Sequence, residues 1–360
     1  MNSKQKSADC HASHKLNFAR GLYFILTLLM VLSSRFGFAQ VPQKVIQLPP
    51  IISGVDEEFS GLAMHDRRIY LLPQYGQKKS VTIKSPFSLY SISSDSIQRV
   101  IDNLDSALSF YKVVPVLNLD LLPDSISKSY QGFESITFVG NDVFLTMETI
   151  DNFGYCFILK GNLDSISNTI TINPTHFVAL KKHPQIPNAG FESLTYIPEL
   201  KKLIAVFEFN GINGGLGYMV DTALCSPPQK IHIPHLPFRI TDVSADTNGD
   251  IYGLNYYWNG DFKHYGESEL VDHHRTKLLQ ELPDLQRALN SDVEYLTEKT
   301  TSYARIVKIR LPDGRWEEVR RIDTNGDNWE GIIPFSKGVL VITDANRSYS
   351  QRTLFVYVEF

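Results

Sequence analysis

Apolar residues fall in short runs bounded by turn residues. The clearest are IYLLPQ from Ile69, VFLTMET from Val143, LIAVFEF from Leu203, IYGLNYYW from Ile251 and VLVITDAN from Val339. They are rich in β-branched and aromatic residues and too short for helices, so they predict strands. A shorter motif precedes each run: Phe59-Ser60-Gly61-Leu62-Ala63, Phe133-Glu134-Ser135-Ile136-Thr137, Phe191-Glu192-Ser193-Leu194-Thr195, Thr241-Asp242-Val243-Ser244-Ala245 and Trp329-Glu330-Gly331-Ile332-Ile333. Four begin with an aromatic residue, and all carry an acid or Ser second. Gly140-Asn141-Asp142 and Asn248-Gly249-Asp250 supply hairpin chemistry between motif and run.

Third strands are predicted at YCFILKG from Tyr155, LGYMVD from Leu216, ARIVKIRL from Ala304 and TLFVYVEF from Thr353. Fourth strands are predicted at TITIN from Thr169 and WEEVRRI from Trp316. Four antiparallel strands repeated around a ring make an all-β propeller. Five motifs predict five blades. A sixth stays open, because the intervals 75–130 and 259–302 are long. The last unit stops after its third strand, so KVIQLP from Lys44 is expected to complete it and protect the edge. Leu spacing from Thr276 to Asn290 predicts a helical insertion in the fourth blade.

The N-terminus reads differently. Lys4, Lys6, Lys15 and Arg20 precede an apolar run, Leu22 to Leu32, and then Gly37-Phe38-Ala39. This is the layout of a secretory signal peptide over residues 1–39, with the propeller over 40–360 and a secreted or periplasmic product. No stable membrane span is expected. Removing that segment, net +4, from a chain of net −4 leaves −8. So acidic a chain has no nucleic-acid footprint. Cys156 and Cys225 remain, bonded or as separate thiols. A monomer is expected.

First strands of propeller blades lie nearest the axis, so equivalent motif positions meet there. Ser60, Glu134, Glu192, Asp242 and Glu330 are therefore expected at one level as candidate metal ligands. Crowded carboxylates repel unless a cation enters. A hard cation with several oxygen ligands, calcium above all, suits them, whereas no repeated His or Cys supports zinc. A second polar layer, Gln74, Glu148, Glu208, Asn255, Asp344 and Asn346, is expected where the second strands end. Asp246–Asp250 and Asp323–Asp327 read as hairpin turns, because an EF-hand loop needs its Gly two positions later.

FSGLAMHDRRIYLLPQ, GFESITFVGNDVFLTMET, GFESLTYIPELKKLIAVFE, ITDVSADTNGDIYGL and NWEGIIPFSKGVLVITDAN together resemble the phytase-like domain family, the esterase-like activity of phytase family. The likeness covers most of residues 50–360 and departs from the family pattern at Pro73-Gln74-Tyr75 and Asn255-Tyr256-Tyr257. A looser similarity runs to the five-bladed calcium-activated apyrases. The family resemblance implies a calcium-dependent phosphoester or ester hydrolase acting on a small-molecule substrate. Glu148, Glu208 and Asp344 would be candidate bases, and Gln74, Arg239, Asn255, Tyr257, Asn346 and Arg347 would be ligand contacts. The alternative is a non-catalytic calcium-stabilised propeller whose mouth binds a glycan or peptide.

Overall fold

The strand runs are apolar at successive positions because both faces of each strand are buried. In the run from Leu203, Leu203, Ala205 and Phe207 join one apolar cluster, while Ile204 and Val206 join another. From Val339 the same alternation sends Leu340 and Ile342 to one side and Val339 and Val341 to the other. Sheets covered on both faces read as continuous hydrophobic runs. Five apolar clusters result, each between two neighbouring sheets.

The computed structural model describes residues 43–54, 56–76, 83, 86–182, 189–211, 214–234, 236, 238–257, 303–311, 314–322, 327–347 and 352–360. Among them, twenty strands build five four-stranded blades. Blade one is β2 (Phe59–His65), β3 (Arg68–Pro73), β4 (Phe87–Ser93) and β5 (Lys112–Leu117). Blade two is β6 (Tyr130–Val139), β7 (Asp142–Thr149), β8 (Tyr155–Asp164) and β9 (Thr169–Lys181). Blade three is β10 (Ser193–Ile197), β11 (Lys202–Gly211), β12 (Gly214–Asp221) and β13 (Gln229–Ile233). Blade four is β14 (Arg239–Ala245), β15 (Ile251–Tyr257), β16 (Tyr303–Ile309) and β17 (Glu317–Ile322).

Blade five is β18 (Asn328–Phe335), β19 (Gly338–Asp344) and β20 (Phe355–Glu359), completed by β1 (Gln43–Val45) from the other end of the chain. The expected closure is thus present. The innermost strands pack in sequence, β2 on β6, β6 on β10, β10 on β14, β14 on β18 and β18 on β2, which closes the ring. Blades one and two are further joined at their outer edges, where β5 and β9 pair in parallel.

Among its described residues, interval 75–130 holds no separate blade. It contains β4, helix α1 (Ser94–Ile101) and β5, which finish blade one. The interval between β15 and β16 links two paired strands of blade four, and its expected helix lies outside the described residues. So do residues 1–42, with the expected signal peptide, and residues 323–326. Asp246–Asp250 is a hairpin turn. The Asp246 carboxylate accepts from the backbone N–H of Asn248 at 2.8 Å and of Asp250 at 3.0 Å. Cys156 is a buried unpaired thiol and Cys225 an exposed one. No described helix is long and apolar enough to cross a membrane.

Each blade carries an extra residue in its first chain segment against the second strand. β2, β14 and β18 have one such shift, β6 has two, and in blade three it lies just before β10, between the Gly190–Glu208 and Ser193–Val206 pairings. In blade two, Gly132 faces Glu148 and Ser135 faces Thr146, so three steps oppose two. Such a bulge re-aims side chains, and here it turns backbone N–H groups toward the axis. Asp242, 1% exposed, gathers them. Its carboxylate accepts from the N–H groups of Ile332 (3.0 Å) and Val243 (2.9 Å), from the Ser135 hydroxyl (3.1 Å), and from the backbone of Leu62. Ser135 Oγ in turn accepts from the N–H of Leu194 at 3.1 Å. One carboxylate therefore ties all five blades.

Replacing Asp242 by Ala should cost about 3 kcal/mol or more, since each buried N–H left without an acceptor costs roughly 1–3 kcal/mol. Urea unfolding of Asp242→Ala beside the surface variant Ile166→Ala, at a residue 98% exposed, measures this. Equal midpoints for the two variants would remove Asp242 from its axial role.

Candidate functional site

The bulge also fixes which residues meet at the axis. Backbone pairing places Glu58 against Gln74, Gly132 against Glu148, Gly190 against Glu208, Arg239 against Tyr256 and Asn328 against Asp344. Two residues on from the first member of each pair stand Ser60, Glu134, Glu192, Thr241 and Glu330. These five bulge residues and the five second-strand residues, Gln74, Glu148, Glu208, Tyr256 and Asp344, line one cavity of about 410 Å³. Glu58, Tyr75, Arg239, Asn328 and Asn346 complete its mouth.

Thirteen of the fourteen predicted site residues can be located by side chain. Tyr257 lies on β15, and its side chain is outside the described set. Ser60, Glu134, Glu192, Glu330, Gln74, Glu148, Glu208, Asp344, Arg239 and Asn346 share the cavity. Arg347 stands beside it, paired with Glu58 at 2.6 Å and 5.5 Å from the Tyr75 ring centroid.

Two expectations are corrected, both in blade four and both by one residue. Thr241, not Asp242, stands at the bulge, because Ile240 takes the place that Phe or Trp holds elsewhere. Tyr256, not Asn255, stands in the second layer. Asn255 is buried behind it, donating to the Arg239 carbonyl at 2.8 Å and accepting from Arg305 Nε at 2.8 Å. Glu58, Tyr75, Thr241 and Asn328 were not foreseen as site residues. The residue before each motif's aromatic is the signal that would have found Glu58 and Asn328.

Among the described residues, seven carboxylates line the cavity against one cation, Arg239, which forms a buried ion pair with Glu208. Glu208 also accepts from the N–H of Gly190 at 2.8 Å. Gln74 donates to Glu134 at 2.9 Å, and Asn328 donates to Glu330 at 2.5 Å. Two glycines make room for the acids. A Cβ at Gly132 would meet Glu134 Oε1 at 2.9 Å, and one at Gly190 would meet Glu148 Oε1 at 3.1 Å. Ser60 turns its hydroxyl away, donating to the Phe133 carbonyl at 2.6 Å.

The electrostatics are strained. Burial raises the pKa of Glu134 well above the usual carboxylate range, and the charge of Glu148 adds to it. Burial does the same to Glu192, reinforced by Glu208, and to Glu330, reinforced by Asp344. Burial pushes Asp344 up to about 7, against the N–H of Asn346, which favours its ionised form. Glu192 Oε2 is buried without a hydrogen-bond partner among the described residues. An orphaned buried carboxylate oxygen is rare and costly. All ionisable donors here except Arg239 and Tyr are carboxylates, so the cavity suits a hard cation and not zinc.

Among solved structures, the chain is similar to an exo-β-1,3-galactanase from Phanerochaete chrysosporium in complex with galactose. The TM-score is 0.51 at 8% identity, over 89% of this chain and 65% of that one. The chain thus spans just under two thirds of the galactanase. A GH43 β-xylosidase/α-arabinofuranosidase from a compost microbial metagenome, in a calcium-free complex with xylotriose, gives a TM-score of 0.47 at 10% identity, over 88% and 94% of the two chains. At 8% identity the likeness to the galactanase concerns the β-propeller fold alone. No protein-family model matches the sequence, and comparison with curated proteins finds no match.

A carboxylate whose folded pKa lies above its unfolded value holds more protons when folded. Its contribution to stability is complete below the unfolded pKa and is lost as pH rises through the folded one. In chelator, the melting temperature should therefore fall between about pH 5 and pH 7.5, the span that ends just above the Asp344 value of about 7. Glu192→Gln should flatten that slope in differential scanning calorimetry. A melting temperature that holds or rises over this span would contradict the shifts.

Proposed function

We propose that the acidic cavity holds a calcium ion and that the chain is an exported, calcium-dependent hydrolase of ester or phosphoester bonds. The observation that carries the cation is Glu192 Oε2, buried without a partner among the described residues and surrounded by carboxylates whose pKa values burial has raised. Glu134, Glu192 and Glu330 would hold the ion. The described His, Cys, Asp and Glu side chains form no ready-made metal group, so water would fill part of the shell. Calcium, when bound, supplies Lewis-acid polarisation of a substrate oxygen. The resemblance of the five motifs to the phytase-like domain family supports the ester-bond chemistry.

The other roles follow from the chain's own residues. Asp344, with a pKa of about 7, is matched to proton transfer near neutral pH. Glu208 is engaged by Arg239 and the Gly190 N–H, so its role is to hold Arg239 at the mouth. Arg239, and Arg347 beside the mouth, are the positive groups nearest an incoming anionic substrate.

A second reading makes the ion structural and the mouth a binding site for a glycan or peptide. Blade four favours it, since that blade contributes Thr241 and Tyr256 to the two rings and no carboxylate.

Generic phosphate and acyl esters, assayed with calcium and again after chelation, separate the readings. The hydrolase reading expects turnover of at least one ester class, abolished by chelator and lowered about 100-fold by Asp344→Asn, the range of a lost general base. Turnover indifferent to chelator would overturn the role of calcium. No turnover across the panel, with calcium still raising the melting temperature, would leave the binding module.

A further inference from the structure

The axis opens at both ends. Beyond the layer of Gly61, Ser135, Ser193, Asp242 and Gly331, the inner strands diverge into a second cavity of about 740 Å³ on the opposite face. That volume lies within the range of small-molecule sites. The Asp242 node separates the two cavities, and their chemistries differ.

The second cavity carries little charge free to act. Asp95 on α1 is paired with Arg67 at 2.6 Å, and the Asp246 carboxylate is held inside its own turn. Lys337 adds one cationic group at the rim. Thr137 and Ser244, on the inner strands of blades two and four, present hydroxyls, and Asn248 adds an amide. Tyr196 brings a half-buried aromatic ring from blade three, while the half-buried rings of Phe138 and Tyr252, stacked on His65 at 4.9 Å and on Phe360 at 5.6 Å, offer only their remaining surface. Met64, 49% exposed, lies on the same wall.

Aromatic surface interleaved with hydroxyl and amide groups, without a charge cluster, matches the alternating C–H faces and hydroxyls of a pyranose chain. Ions and strongly charged ligands find few partners here, and a purely apolar ligand would bury the hydroxyls without hydrogen bonds. We propose that this opposite mouth is a binding site for a neutral oligosaccharide, distinct from the acidic cavity.

Saturation-transfer NMR on the full chain, with a panel of neutral tetrasaccharides (β-1,3- and β-1,4-glucan, xylan, mannan and galactan), tests it. At least one should bind. Tyr196→Ala should weaken that binding by about 10-fold, the upper size of one lost aromatic contact. Met64→Arg, at an exposed position, should block it equally, while Glu192→Gln in the acidic cavity leaves it unchanged. Melting temperatures confirm that each variant is folded. Three results would overturn the assignment: no binding by any tetrasaccharide, loss of binding through Glu192→Gln with Met64→Arg silent, or capture of a random pentapeptide pool in their place.

Discussion

A propeller must hold several sheets around an axis where no strand pairs with the next blade. Here the bulge in each blade's first segment frees an N–H at the axis, and a freed N–H in a dry interior needs an acceptor. The Asp242 carboxylate supplies it, receiving donors from four blades directly and from the fifth through Ser135. Burial raises its pKa, and these donors oppose that rise. The side chains beside it must be small, which accounts for Gly61, Ser135, Ser193 and Gly331 at the equivalent positions of the other blades. Hydroxyl bonds between neighbours extend the same tie, Ser60 to the Phe133 carbonyl and Thr241 to that of Trp329.

The acidic cavity is a consequence of that arrangement. The bulge that frees the N–H also aims the preceding side chain into the cavity above. Glu at three of the five bulges, with Glu or Asp at three second-strand positions, concentrates charge where water is scarce. The fold accommodates part of it through Gln74, Asn328, Arg239 and Arg347. Glu192 Oε2 receives nothing from the described residues. Blade four breaks the symmetry with Arg239, Thr241 and Tyr256, so a ligand entering the mouth meets one neutral or cationic wall and four acidic ones.

Repetition made the blade count, the closing strand and most of the acidic ring legible from residues alone. Aromatic-then-acid is a strong marker because the aromatic packs between blades while the acid turns inward. The marker failed where blade four uses Ile240 in place of an aromatic. Aligning on the acid then shifted both strands by one residue and put Asp242 and Asn255 where Thr241 and Tyr256 stand. Neither polarity nor hydropathy distinguishes those registers. Only the pairing of Arg239 with Tyr256 does. Blade one was stretched by α1, so its outer strands read as a separate interval. Glu58 and Asn328 stand immediately before their motifs' aromatics, a polar position that the reading of the motifs, which began at the aromatic, left out.

The central claim is that the blades' bulged first segments gather carboxylates around a cation on the axis. Crystals grown with calcium and then exchanged into a lanthanide allow the most direct measurement, an anomalous difference map. The expected result is a single strong peak within the cavity, adjacent to Glu134, Glu192 and Glu330. Peaks confined to surface carboxylates, with the axis empty, would contradict it.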